Sequence, residues 1–403
     1  VVASRKLTAQ VRRAWEVGPR GVAQRLAQRA YQATGAAELR LNLALEDHLT
    51  DAPCSLPVPQ ERPEPGTPLA VGWVCTPPTP GSGGHTTLLR MVAGLEARGH
   101  SCVLYLYDKD GLDVRAATHL LRTHWPEVGA VVRDVSDGIA GVDAVVATGW
   151  ESAHLIVKQA ADPLRRLYFI QDYEPYFYGR GAEYEFAAMT YRMPFRRIAL
   201  GEMLDGIIQA ETGLHSDVVP FGCDSAAYGP PVPPVERRGV VFYCRPDFPR
   251  RGYQLAALTL IEFHRLHPDQ PIHVYGAPPR GLDVPHTFHG RLSPAQLNEL
   301  YGRTVAGLAM SFTNMTLVAE EMMAAGNIPV VNDIDLARLV LPNAGVRWAA
   351  PTAGALARQL GEAVSAPDIE QRAAAAAASV TGRSWQPTYD AVVRIIEEEV
   401  YGT

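Results

Sequence analysis

Two stretches of this chain gather the residue types that hold a diphosphate. Val240 to Gly252, VVFYCRPDFPRRG, is an apolar strand that ends in Arg245, passes through a proline-broken loop and reaches Arg250, Arg251 and Gly252. Arginine forks match phosphate oxygens in two-pronged geometry, and the C-terminal end of a strand is where open α/β sheets bind ligands. Ser311 to Val331, SFTNMTLVAEEMMAAGNIPVV, is a polar loop that runs into a helix and then, past Gly326, into a buried strand. Ser311, Thr313, Asn314 and Thr316 lie where the first N–H groups of that helix lack internal partners, a start that attracts anions. Glu321, one or two turns further in, can accept hydrogen bonds from both hydroxyls of a ribose. Gly326 ends the helix and Pro329 leads the strand. The plain alternatives are a solvated basic loop for the first stretch and an ordinary capped core helix for the second.

Two more segments carry chemistry. Pro77 to Thr87, PPTPGSGGHTT, follows an apolar strand and opens a helix, and Gly81, Gly83 and Gly84 let backbone approach a ligand closely. It matches neither G-x-G-x-x-G nor a P-loop with its Lys, so it gives little support to nicotinamide or ATP binding. His85 at its end can meet a ligand or simply hydrogen-bond its own loop. Gln171 to Tyr184, QDYEPYFYGRGAEY, packs acids, an Arg and aromatic rings after another strand. Aromatic faces with carboxylates suit a sugar acceptor, with Tyr173 as a ring and Asp172 and Glu174 orienting or activating a hydroxyl. A loop folded around its own aromatic cluster is the alternative.

The elements that must position these residues alternate strand and helix. LAVGWV, the glycine loop, a helix to Arg98, VLYLY, DAVVATG, a helix and LYFIQ follow one another, and the series continues to DVVPFG. That alternation predicts a doubly wound parallel sheet, and a second βαβ series runs from Val240 to about Val380. The expected organisation is a basic helical extension and linker over 1–66, a first Rossmann-like domain over 67–222 and a linker over 223–236. A second Rossmann-like domain follows over 237–382, then a terminal segment over 383–403. The six alanines from Ala373 to Ala378 belong to a terminal helix rather than to low-complexity sequence.

The order strand, Arg, loop, basic-Gly and helix, then IHVYG at Ile272 to Gly276, FHGRLSPAQLNELY at Phe288 to Tyr301 and SFTNMTLVAEEMMAAG, resembles the C-terminal half of GT-B glycosyltransferases of family 4. Within that family it is similar to the rhamnosyltransferase-like set with an SLTN-then-EMMA pattern and a QDFEP segment. The resemblance covers roughly residues 68 to 400. It implies a GT-B fold, two doubly wound α/β domains facing a cleft, with the terminal helix crossing back to the first domain. It also implies a retaining transfer from a nucleoside-diphosphate sugar (dTDP-, UDP- or GDP-) to a glycan or lipid-linked glycan acceptor, without a prosthetic group or metal.

On that resemblance the base lies near Tyr275, Gly276 and the turn of His289 and Gly290, and the ribose lies on Glu321. The diphosphate lies between Arg245, Arg251 and the start Thr313, Asn314, Met315 and Thr316, with Gly83 and Gly84 opposite. His85, Tyr173 and Glu174 fall on the acceptor side, and Asp172 stands with Arg245 and Arg251 as a catalytic residue, orienting or activating the acceptor hydroxyl. The family's usual pair of glutamates is eight positions apart, and counting back from Glu321 reaches Thr313. The first acid is missing, which fits a deoxysugar such as rhamnose better than a common hexose. Glu320 is the substitute if the register slips.

Composition bounds the remaining classes. The 403 residues exceed one ordinary core; 47% are apolar and 20% charged. A formal net charge of −6 argues against general nucleic-acid binding. No apolar run reaches the ~18 to 20 residues of a membrane span and no signal-peptide pattern is present, so a cytoplasmic location is expected. Arg5, Lys6, Arg12, Arg13, Arg20, Arg25 and Arg29 set a basic amphipathic face over residues 1–31, suited to docking on the protein itself or to an anionic inner membrane face. Cys54, Cys75, Cys102, Cys223 and Cys244 lack metal spacing and are expected as buried thiols. The strings Asp108-Lys109-Asp110 and Asp333-Ile334-Asp335 are weak grounds for a metal-dependent transferase. A GT-B sugar-nucleotide epimerase and a non-catalytic scaffold of a glycan-assembly complex are the competing function classes.

Overall fold

Runs of Val, Ile, Leu and aromatic residues build two separate sheets. The first holds β1 (Ala70–Cys75), β2 (Ser101–Leu106), β3 (Val131–Asp134), β4 (Ala144–Ala147), β5 (Arg165–Ile170), β6 (Arg196–Leu200) and β7 (Asp217–Val219). The second holds β8 (Val240–Cys244), β9 (Ile272–Gly276), β10 (Thr287–Phe288), β11 (Ala306–Ala309), β12 (Ile328–Asn332) and β13 (Arg347–Ala349). Both are parallel throughout, with orders β3-β2-β1-β4-β5-β6-β7 and β10-β9-β8-β11-β12-β13. All four residues of β4 and all six of β5 are buried, as expected for strands covered by helices on both faces. These are two Rossmann-like domains.

This computed structural model describes residues 26–27, 42–160, 163–223, 227–314, 316–334 and 337–403. The basic segment 1–31 lies outside the described residues except for Leu26 and Ala27. The chain divides into the compact units Val1–His48 and Leu49–Thr403. Described residues of the first include a one-turn helix, Leu45–Asp47; the second contains both sheets. No helix among the described residues is long and apolar enough to cross a membrane.

Strand order reverses between β1 and β4 in one sheet and between β8 and β11 in the other. At such a point adjacent loops leave in opposite directions and open a crevice beyond the strand ends. The glycine loop follows β1, Arg245 to Arg251 follow β8, and Ser311 to Asn314 follow β11. Three of the four predicted segments therefore border a switch point, and the fourth, after β5, reaches the same region through contacts given below.

The helix Gln386–Tyr401 buries Val392, Val393, Ile395, Ile396 and Val400, and packs on the helix Gly83–Ala97 and on β7. Thr388 Oγ1 donates to Pro220 O at 2.8 Å, and Arg196 Nη2 donates to Glu398 Oε2 at 2.9 Å. Just before this helix Trp385 lies against Gly222, where an added Cβ would come within 2.4 Å of the indole. Only glycine permits that approach.

Two local expectations need correction. Strand β12 opens at Ile328, not at Pro329. Ile328 N–H donates to Val305 O at 3.0 Å on the β11 side, so position 329 faces the other side. There β13 pairs only from Val330 onward, so the N–H that proline lacks is not needed. Four cysteines are buried as expected but Cys54 is exposed. Burial pushes the Cys75 and Cys102 thiols up to about 12.

Candidate functional site

The loop after β8 is a ladder of cations and rings. Arg245 Nη1 donates to Tyr243 Oη at 2.7 Å, and its guanidinium lies 4.4 Å from the Phe248 ring centroid. Arg250 lies 5.4 Å from Phe248 on one side and 3.8 Å from Phe177 on the other. Phe177 belongs to the loop after β5, so this ladder joins the two domains. Cation–π contact fixes a guanidinium without neutralising it. Arg251 turns the other way, and its Nη1 donates to Ser311 Oγ and to Asn314 O, both at 3.1 Å. Burial pulls both Arg250 and Arg251 below the ordinary arginine range. A guanidinium nevertheless stays charged in proteins, so two half-buried cations lie side by side.

The loop after β11 is held from beneath by Asn332. Its Oδ1 accepts from Ser311 N–H at 3.0 Å and its Nδ2 donates to Ser311 O at 2.7 Å. Thr313 N–H donates to Ser311 Oγ at 3.2 Å, and the helix Thr316–Ala324 follows. Met315 lies outside the described residues; Thr316 is the first residue of the helix.

Asp172 joins this loop to the first domain. Thr313 Oγ1 donates to Asp172 Oδ2 at 2.8 Å and Asn314 N–H donates to Asp172 Oδ1 at 3.3 Å. Asn314 Nδ2 also donates to Gln171 O at 3.2 Å, while Gln171 Nε2 donates to Gly84 O at 3.1 Å. A Cβ on Gly83 would touch Leu317 Cδ1 at 3.5 Å. Burial raises the Asp172 pKa, and Arg250, Thr313, Arg251 and Asn314 each pull it back down. Asp172, Gly83, Gly84, Arg251, Thr313 and Asn314 therefore meet around one place.

Other predicted residues have partners of their own. Both His85 ring nitrogens serve the glycine loop: Nδ1 accepts from Thr79 N–H at 3.2 Å and Nε2 lies 3.2 Å from Thr76 Oγ1. Tyr173 is only 1% exposed, packed on Tyr176 and Tyr191, whereas Tyr176 of the same loop is 41% exposed. Glu174 Oε2 accepts from Trp150 N–H at 2.6 Å and from Tyr168 Oη at 3.1 Å, capping the helix Trp150–Gln159. Burial, and then the nearby charge of Glu151, raise the Glu174 pKa well above the ordinary range.

At the other end, Tyr275 stacks on Tyr243 with centroids 4.9 Å apart, and its hydroxyl lies 2.5 Å from that of Tyr301. Gly276 has φ +100°, and a Cβ there would come within 2.7 Å of Cys244 O. Its N–H donates to Gly290 O at 2.8 Å, which closes the turn. His289 Nε2 lies 3.0 Å from His273 Nδ1, and burial, with His289 next, lowers His273 to about 4. Glu321 is half-buried; burial first, with the charge of Glu321 adding to it, raises the Tyr275 and Tyr301 hydroxyl pKa values, which places the carboxylate near these rings. Glu320 does not substitute for it: its side chain is fully buried and ion-paired with Arg383, whose Nη2 donates to Phe221 O at 2.9 Å. Of the two D-x-D strings, Asp108 caps its own turn through Asp110 N–H and Asp333 pairs with Arg338.

Residues 134–203, which include β4, β5 and the Gln171 loop, match the family profile described as WsaF, N-terminal domain. The chain is 31% identical over 266 residues to the O-antigen biosynthesis protein RfbC of Myxococcus xanthus, a match covering 62% of this chain. It spans only 20% of that relative's length. Sucrose-phosphate synthase from Thermosynechococcus elongatus superposes with TM-score 0.63 at 12% identity, over 83% of this chain and 100% of that one. Anabaena HepE, solved in complex with UDP and glucose, superposes with TM-score 0.60 at 14% identity, again over 83% and 100%. The fold is GT-B.

Within that fold, sequence reasoning passed over Gln171, Phe177, Phe248 and Asn332 as members of the site. An Asn closing the apolar run IPVVN is a local signal of an amide turned toward a neighbouring loop. Nothing local marks Phe177 as the ring beneath Arg250, because that contact joins loops of different domains.

Proposed function

We propose that this chain is a glycosyltransferase that moves a sugar from a nucleoside-diphosphate donor to a hydroxyl of a glycan or lipid-linked glycan during surface-polysaccharide synthesis. One observation carries the reading: two half-buried arginines, the Ser311–Asn314 loop and the glycine loop converge where the switch points of two parallel sheets face each other. The relative named for O-antigen biosynthesis and the neighbour solved with UDP and glucose support it.

Negative charge grows on the diphosphate as the sugar–phosphate bond breaks. Arg245, Arg250, Arg251, the Thr313 hydroxyl and the Asn314 N–H ahead of the helix Thr316–Ala324 are fixed before that charge appears, so they bind the transition state better than the ground state. The base lies toward Tyr243 and Tyr275, the ribose on Glu321, and the acceptor on the side of Tyr176 and the Gln171 loop. Thr313, where related enzymes carry an acid, favours a deoxysugar such as L-rhamnose, and transfer proceeds with retention at the anomeric carbon.

The direct test incubates the protein with UDP-, dTDP- and GDP-sugars and a lipid-linked glycan extract, and follows the products by mass spectrometry. Acceptor-dependent sugar transfer is expected. A rearranged sugar released without acceptor would identify an epimerase, and no turnover of any donor would point to a scaffold.

A further inference from the structure

Resting on the donor site just proposed, we infer that Asp172 is an internal stand-in for the donor phosphate, a latch that holds the cleft shut until a diphosphate displaces it. The carboxylate lies where an anion would be held. Its Oδ2 accepts from Thr313 Oγ1 at 2.8 Å, and its Oδ1 accepts from Asn314 N–H at 3.3 Å and from Tyr173 N–H at 3.0 Å. The charges of Arg250 and Arg251 act on it as well. A hydroxyl, a backbone N–H just ahead of a helix and two guanidiniums are the donor set a phosphate requires.

The latch comes from the other domain. Asp172 follows β5, and Thr313 and Asn314 follow β11, 141 and 142 residues away in sequence. Asn314 Nδ2 on Gln171 O and Arg250 on Phe177 complete the closure. Diphosphate and carboxylate cannot share these donors, because two anions would then meet in a half-buried space. Arg250 Nε, buried and without a hydrogen-bond partner among the described residues, is a donor that the carboxylate leaves unused. An incoming diphosphate therefore takes over the Thr313 and Asn314 donors and frees Asp172 into the cleft. The apparent affinity for donor is the intrinsic affinity multiplied by the fraction of molecules whose latch is open.

The test is calorimetric titration of UDP, dTDP and inorganic pyrophosphate into wild type, Asp172→Asn, Asp172→Ser and Arg251→Ala. Circular dichroism melts establish that each variant is folded, and the two substitutions at 172 guard against one that is not. Removing the competing charge should tighten diphosphate binding by about five- to fiftyfold in both Asp172 variants, while Arg251→Ala weakens it. Diphosphate binding that is unchanged or weaker in both Asp172 variants, with Arg251→Ala still impaired, overturns the latch and leaves the donor site standing. Absence of binding by any nucleotide or by pyrophosphate to every protein overturns the donor site and the latch together.

Discussion

The two sides of the cleft are built to different ends. Loops of the second domain present charge that no acid of their own domain pairs with among the described residues: Arg245 and Arg250 lie on aromatic faces, and Arg251 donates to a hydroxyl and a carbonyl of its own domain. Loops of the first domain commit their polar atoms to themselves. His85 ties both ring nitrogens into the glycine loop, Glu174 caps a helix and Tyr173 fills a cluster of tyrosines. Gln171 and Asp172 are the exceptions: the Gln171 carbonyl accepts from Asn314 Nδ2, and the Asp172 carboxylate accepts from Thr313 and Asn314 of the second domain as well as from Tyr173 N–H. One side is therefore preorganised for an anion, and the other is a rigid wall whose exposed contribution is rings such as Tyr176. Substitutions on the second-domain side should change activity with little change in stability, and substitutions on the first-domain side should do the reverse.

The largest effect expected is on turnover. Arg251→Ala should lower kcat by about 10²- to 10³-fold, the scale of removing one preorganised donor from a developing charge. Its thermal midpoint should stay within a few degrees of wild type; a collapse of the fold instead would erase the contrast between the two sides.

Glu174 offers the opposite result. Glu174→Ala strands Trp150 N–H and the Tyr168 hydroxyl in a half-buried site and should cost about 2 to 3 kcal/mol of stability, read by urea melts. Burial holds this carboxyl neutral well above the ordinary range, so Glu174→Gln should cost under about 1 kcal/mol. Equal losses in both variants would mean that an ionised carboxylate is required, and would return Glu174 to the list of acceptor-activating groups.

Glu320 sharpens the comparison from outside the cleft. Burial, opposed by Arg383, raises its pKa to about 7 from an ordinary 4.5. A raised carboxyl contributes stability that is fully present below the unfolded value of 4.5 and is lost as pH rises through 7. Relative to Glu320→Gln, the wild type should therefore lose stability between about pH 4.5 and 7, by at most on the order of 3 kcal/mol. Parallel pH profiles for the two proteins would contradict this.

The smallest effect belongs to His85. His85→Ala should cost roughly 1 kcal/mol in a thermal melt, from two lost loop hydrogen bonds, and change donor KM by no more than about threefold. A loss of kcat as large as that for Arg251→Ala would place His85 in the chemistry.

Sequence periodicity revealed the sheets because buried parallel strands are written as apolar runs, as in AVGWVC and AVVA, and because glycine, proline and arginine punctuate their C-terminal ends. Arg245, Arg251 and Thr313 could be singled out for the same reason: each stands a few residues beyond such a run. The assignment of individual first-domain residues was less legible. Nothing in QDYEP tells Asp172, which crosses to Thr313, from Glu174, which turns back to Trp150, because side chains two positions apart on a short irregular turn point to unrelated neighbours. Glu320 and Glu321 show the helical version. One position is 100° of rotation, enough to take one carboxylate into a buried ion pair with Arg383 and leave the other beside Tyr275 and Tyr301. The pairing of Arg250 with Phe177 depends on how two domains meet, which no local pattern encodes.

The most direct measurement is a calorimetric panel of UDP, dTDP and GDP against wild type and Arg251→Ala. Selective binding of a nucleoside diphosphate by the wild type, weakened at least tenfold in the variant, is the predicted result. Equal affinity in the two proteins, or binding of none of the three, would contradict a diphosphate held by the arginines of the second domain.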